Sequence, residues 1–90
     1  MKVDFKNLSV EVSFDKFSEV DVTKALGNYI HANTSDIGLD DTARAIYHSE
    51  GEIEIPDEHV KMIHLLVNNK KCPLLASVKR AIFKTLSRNG

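Results

Sequence analysis

The side chains best suited to bind a metal ion in this 90-residue chain are four histidines and one cysteine. They are His31, His48, His59, His64 and Cys72. Zinc sites in proteins use short, recurring spacings of such residues. The spacings here fit none of those patterns, and His59 and His64 would point about 140° apart around a helix. We therefore predict no metal site and no cofactor.

Cys72 is the side chain whose surroundings come nearest to those of a reactive nucleophile. It precedes Pro73 at an expected helix start, where the helix dipole and the neighbouring Lys70 and Lys71 would stabilise a thiolate. A catalytic nucleophile also needs an adjacent base that a third group holds in place. No such signature surrounds Cys72, and the chain has no glycine-rich phosphate loop. We therefore predict that the protein is not an enzyme.

Charge is distributed unevenly along the chain. Residues 1–58 carry five Lys or Arg and thirteen Asp or Glu, whereas residues 59–90 carry seven Lys or Arg and no acidic residue. One interpretation is that the basic half lies against the acidic half, and the other is that it faces a polyanion or a protein partner. The candidate contact residues are Lys70, Lys71, Lys79, Arg80, Lys84 and Arg88.

DNA binding is the alternative that this basic segment suggests. Residues 57–88 have the order of a helix, a short turn and a basic helix, which is roughly a helix-turn-helix layout. The basic side chains would then neutralise phosphates. Against this interpretation, the turn has no glycine and the last helix would begin with Pro-Leu-Leu, where base-reading side chains are expected. We predict a non-catalytic module that binds another protein and keep DNA binding as the alternative.

Two short helices joined by a polar loop form the centre of the predicted fold. Apolar residues recur at helical spacing from Val22 to Ile30, after Asp21 as the expected N-cap. A second helix is expected to start near Asp40, and Gly51 is expected to end it in a left-handed conformation. Helices of this length are unstable alone in water, so both must pack on the rest of the chain.

Strands are predicted before and after this pair of helices. Residues 2–14 alternate between apolar and polar side chains and predict a hairpin that turns at residues 6–7. A second turn at residues 15–16 would add a short third strand over residues 17–20. Residues 52–55 predict either a short edge strand or an extended linker.

Two more helices complete the prediction. The third is expected to start at Pro56 or Asp57, where proline and acidic residues suit a first turn, and to end at the polar break over residues 68–71. The fourth is expected to run from near Pro73 to about Ser87. Its basic residues recur four apart and would form a ridge on one face.

The predicted fold is a single α+β domain over residues 1–90, with an N-terminal β-hairpin or short three-stranded meander packed on about four short helices. The apolar content of 42% and the charged content of 28% are ordinary for a soluble domain. The sequence shows neither a secretory signal nor a membrane-spanning run, so we expect a cytoplasmic protein. The predicted core contains Phe5, Val10, Val12, Leu26, Ile30, Ile46, Ile63, Leu66, Val78 and Ile82.

The stretch LGNYIHANTSDIGLDDTARAIYHSEGEIEIPDEH, residues 26–59, resembles small uncharacterised proteins encoded in bacterial prophages and related mobile elements. This resemblance extends over most of the chain and rests on its overall character, without a functional motif. It implies a bacterial, phage-derived accessory protein that acts through partners. It implies no particular site residues.

Overall fold

The computed structural model describes residues 1–87, and in these the four predicted helices and four strands are present. In chain order the elements are β1 (Lys2–Asp4), β2 (Leu8–Ser13), β3 (Lys16–Val20), α1 (Thr23–Asn33), α2 (Ile37–Tyr47), β4 (Glu52–Glu54), α3 (Asp57–Val67) and α4 (Ala76–Leu86). The N-terminal strands precede the helices, and the α+β class is confirmed.

The four strands form two antiparallel pairs. β2 pairs with β3, which confirms the second hairpin, but the chain turns at residues 14–15, one residue earlier than predicted, because Ser13 pairs with Lys16. The predicted pairing of β1 with β2 is wrong, because β1 pairs with β4 instead.

The Asp4 carboxylate accepts hydrogen bonds from the backbone N–H groups of Lys6 and Asn7, at 3.0 Å each, and so stabilises a turn between β1 and β2. That turn includes the fully buried Phe5, whose carbonyl accepts a hydrogen bond from Val22.

The far end of the β2–β3 hairpin extends beyond the core. Leu8 and Val10 of β2 are buried, but Val12 is 58% exposed, so its predicted place in the core is wrong. The register of the hairpin shifts between Glu11 and Ser13, and Asp15 in the turn has a φ of 64°. Alternation along a strand predicts which face a side chain occupies, but not whether another element covers that face.

The N-terminus of α1 is close to its prediction. The Asp21 carboxylate accepts hydrogen bonds from both the backbone N–H and the hydroxyl of Thr23, at 3.0 and 2.6 Å. These bonds hold the pKa of Asp21 below its ordinary value, since they stabilise the charged form. The helix itself begins at Thr23, with Val22 as its N-cap, so the predicted cap is displaced by one residue.

Both ends of α2 differ from the prediction. The helix begins at Ile37 because Asp36 caps it, its carboxylate accepting a 3.0 Å hydrogen bond from the backbone N–H of Leu39. At the other end His48 is the C-cap, and Ser49 donates its hydroxyl to the carbonyl of Ile46. Gly51 does not adopt a positive φ, so the predicted left-handed cap is wrong.

The last two helices lie near their predicted positions. α3 begins at Asp57, with Pro56 as N-cap, and the polar break follows it, as predicted. α4 begins at Ala76, three residues after Pro73, because the preceding Leu75 is in an extended conformation. Among residues 1–87, the helices are all too short or too polar to cross a membrane.

The hydrophobic core unites β1, β2 and all four described helices. Most of the predicted core residues are buried in it: Phe5, Val10, Leu26, Ile30, Ile46, Ile63 and Ile82. Leu66 and Val78 are partly buried and pack against its periphery. Because α4 contributes Ala81, Ile82 and Leu86 to this core, one face of that helix is fixed and its basic face is directed elsewhere.

Candidate functional site

A groove with a volume of about 780 Å³ lies where β1, the β2–β3 hairpin and α4 meet. We term it the α4 groove. One wall is strand β1 together with Glu52 of β4, and the second is the part of the hairpin that carries Glu11 and Phe17. The third wall is the face of α4 that carries Arg80 and Lys84. The groove therefore depends on elements from both ends of the chain.

The β1 wall presents its backbone edge to the groove. Met1, Lys2, Val3 and Asp4 all line it, although the Val3 side chain is buried in the core. Successive side chains of a strand point to opposite faces of a sheet. Val3 therefore lines the groove through its backbone, whereas Lys2 and Asp4 have side chains on the other face, which they share with Glu52 of β4.

Both signs of charge face the α4 groove. The carboxylates of Asp4, Glu11 and Glu52 and the ammonium group of Lys2 come from the strands, and the cations of Arg80 and Lys84 come from α4. Among residues 1–87, the ion pairs within 4.0 Å join carboxylates to the N-terminus or to His31, and none involves a Lys or Arg side chain. The Lys and Arg side chains of the groove therefore have no carboxylate partner among residues 1–87. The Asp4 and Glu11 carboxylates, in contrast, already accept hydrogen bonds from nearby backbone N–H groups.

The six predicted contact residues are separated by the fold. Arg80 and Lys84 line the α4 groove, and Arg88 lies outside the described residues. Lys70 and Lys71 are exposed in the turn between α3 and α4 and do not line the groove. Lys79 is half-buried and reaches back to this turn, its Nζ donating to the carbonyl of Asn69 at 3.4 Å.

Beside the groove, the hairpin ends in a cluster of exposed apolar side chains, which we term the hairpin tip. It consists of Val12, Phe14 and Phe17, which are 58%, 92% and 60% exposed. Phe17 belongs to both the hairpin tip and the wall of the groove. Sequence reasoning missed the tip because it placed Phe14 in the alternating strand. Phe14 lies in the turn itself, together with Asp15. The signal in the sequence was the position of Phe14 next to Asp15, a residue typical of turns.

A second, shallower depression of about 160 Å³ lies between α1 and α2. It contains a hydrogen-bonded pair, the Nδ1 atom of His31 and the carboxylate of Asp40, together with Arg44 and His48. A His–Asp pair activates a neighbouring hydroxyl or thiol in many hydrolases, but no Ser, Thr or Cys among the described residues lines this depression.

The remaining chemical candidates are located away from both sites. Cys72 is buried and lies four residues before α4 begins, so the helix-start environment expected for a reactive thiol is not present. It lies beside Tyr29, whose pKa is raised chiefly by burial and further by this thiol. Within residues 1–87, no three His, Cys, Asp or Glu side chains are arranged to hold a metal ion.

Comparison with protein-family models, with curated proteins and with solved structures found no match for the chain. The candidate site is therefore interpreted from its own geometry. Its distinguishing features are an exposed apolar hairpin tip, a free strand edge and a groove with charges of both signs.

Proposed function

We propose that the protein is a non-catalytic interaction module that binds another protein through the hairpin tip and the adjoining α4 groove. The observation that carries this proposal is the exposure of Val12, Phe14 and Phe17 at the end of one hairpin. The resemblance of residues 26–59 to prophage-encoded proteins agrees with it, since those would be accessory proteins acting through partners in the bacterial cytoplasm.

Exposed apolar side chains at the hairpin tip are informative because the fold does not need them there. Turn positions of hairpins usually hold glycine, asparagine or other polar residues. Phe14 occupies such a position with 92% of its side chain exposed, next to a complete core. Adjacent exposed apolar residues on a soluble domain mark surfaces that another molecule covers. Aromatic side chains in particular supply much of the energy of protein interfaces.

The test compares proteins captured from a bacterial lysate by three baits: the unmodified chain, Phe14→Ser and Ile37→Ser. Ile37 is the matched control, because it is 81% exposed but lies on α2, away from the hairpin. We expect the unmodified chain and Ile37→Ser to capture similar amounts of the specific partners. Phe14→Ser should capture about tenfold less, which corresponds to a loss of about 1.4 kcal/mol of binding free energy. Thermal unfolding of each bait checks that it is folded.

Capture that is the same for Phe14→Ser as for the unmodified chain would contradict the proposal. DNA binding remains the alternative function, although three carboxylates offset the cations of Lys2, Arg80 and Lys84 in the groove, so the groove is not a basic surface. Anisotropy of a labelled duplex at roughly 50 and 200 mM salt tests it. Binding that weakens steeply with salt and with Arg80→Ala or Lys84→Ala would favour DNA as the ligand.

A further inference from the structure

We infer that the α4 groove binds an extended segment of the partner protein, which adds as a strand to the free edge of β1. This inference rests on the proposed function and names the form and charge of the segment that is bound. The strand edge would bind the backbone of the segment, and the charges of the groove and Phe17 would bind its side chains.

The hydrogen bonds of β1 show which backbone groups face the groove. Met1 and Ile55 exchange two backbone bonds, of 2.9 and 2.7 Å, so they form a hydrogen-bonded pair. In an antiparallel ladder such pairs alternate with pairs that are not hydrogen-bonded to each other. Val3 and Ile53 are therefore bonded, whereas Lys2 and Asp4 direct their N–H and C=O groups to the opposite edge.

That opposite edge of β1 is the one that faces the α4 groove, since β4 occupies the other. No backbone hydrogen bond from the turns and loops of residues 1–87 reaches the N–H or C=O groups of Lys2 or Asp4. Two donors and two acceptors are therefore free, at the spacing that an added strand requires. Proteins usually cover or distort an edge of this kind. Here the groove leaves it open.

The charges of the groove select the side chains of the added strand. Side chains of an extended segment alternate between two directions, so neighbouring residues contact different walls. Residues directed towards α4 meet Arg80 and Lys84, whereas those directed towards the strands meet the three carboxylates of Asp4, Glu11 and Glu52 and the single cation of Lys2, a wall that is acidic on balance. A segment with alternating acidic and basic residues complements both walls. An apolar residue at one end would contact Phe17, which is 60% exposed at the edge of the groove.

The test uses short random peptides displayed on phage and selected against the folded chain, followed by synthesis of one enriched peptide. We expect bound peptide to slow hydrogen exchange at the amides of Lys2 and Asp4. The amide of Val3 is an internal control, since it already faces β4. Methylation of the peptide nitrogens at alternate positions should weaken binding about tenfold, because every second N–H donates to β1.

Protein variants test the charge of the segment. In the double variant Arg80→Glu and Lys84→Glu, the affinity for the selected peptide should fall at least about tenfold, because the new carboxylates repel the acidic residues of the peptide. Lys61→Glu is the control, because Lys61 is exposed on α3 and does not line the groove. Equal effects of the double variant and the control would show that the groove does not read the charge of the peptide.

The outcomes separate this inference from the proposed function. Peptide binding without protection at Lys2 and Asp4 would overturn strand addition. Failure to enrich any peptide would do the same, and the proposed function would stand if capture of partners still depended on Phe14. Protection at these amides that rises with protein concentration and without peptide would show that a second copy of the chain occupies the edge, which also overturns the inference.

Discussion

Tyr29 shows how one polar atom can be accommodated in a small core. The side chain is only 9% exposed, and its hydroxyl donates a 2.7 Å hydrogen bond to the carbonyl of Leu66. This bond joins α1 to the last turn of α3. Burial raises the pKa of Tyr29 above its ordinary value, so the neutral hydroxyl persists to higher pH in the folded chain.

At this scale we predict that Tyr29→Phe lowers the free energy of unfolding by about 1 kcal/mol, because the carbonyl of Leu66 loses a buried donor. Tyr47→Phe is the matched control, since Tyr47 is half-buried and its hydroxyl makes no hydrogen bond with residues 1–87. Urea denaturation of both variants measures the difference. Equal losses for the two would mean that the bond to Leu66 contributes nothing to stability.

At the scale of elements, the closest contact joins α1 to α2 at Gly27. A Cβ atom added there would lie 2.9 Å from the carbonyl oxygen of Ala43 and 2.9 Å from the Cβ of Tyr47. The same two helices are joined at the surface, where Lys24 donates its Nζ to the carbonyl of Tyr47 at 2.9 Å. The glycine that weakens α1 locally therefore allows α2 to pack against it.

We predict that Gly27→Ala destabilises the fold despite the higher helix propensity of alanine. The propensity gain is about 1 kcal/mol. Overpacking against a backbone oxygen costs about 1–3 kcal/mol, and the close contact places this site towards the upper end. Gly51→Ala is the control, because the added methyl meets nothing within 4 Å and φ is not positive. Thermal unfolding should show a lower Tm for Gly27→Ala alone, and an unchanged Tm there would refute the close packing.

At the scale of the molecule, the core and the candidate site share two elements, α4 and β2, and use different parts of each. α4 contributes Ala81, Ile82 and Leu86 to the core and Arg80 and Lys84 to the groove. β2 likewise begins in the core and ends in the exposed hairpin tip. Stability and binding should therefore respond to different substitutions.

A pair of truncations tests this separation. Leu26→Ala should lower the free energy of unfolding by about 2–5 kcal/mol, because Leu26 is fully buried at the centre of the core. Val12→Ala should change it by less than about 0.5 kcal/mol, as at other exposed positions. Chemical denaturation compares the two. A large loss for Val12→Ala would show that the hairpin tip is part of the folded core.

The sequence by itself determined the features that depend on near neighbours along the chain. Helical spacing located all four helices, and period-two alternation followed by a turn located the β2–β3 hairpin, with the turn predicted one residue too late. The start of α3 was also predicted, because Pro56 and the acidic residues after it act within one turn. The start of α2 was missed, since the cap formed by Asp36 was interpreted as part of a loop.

Only the tertiary structure decided the features that depend on distant partners. β1 pairs with a strand about fifty residues away, with Met1 bonded to Ile55 across a separation of 54 residues. The exposure of Val12 and the meeting of Arg80 and Lys84 with three carboxylates in one groove follow from how α4 packs on β2. The physical reason is that local periodicity sets which face of an element is apolar, whereas the complete fold sets what covers it.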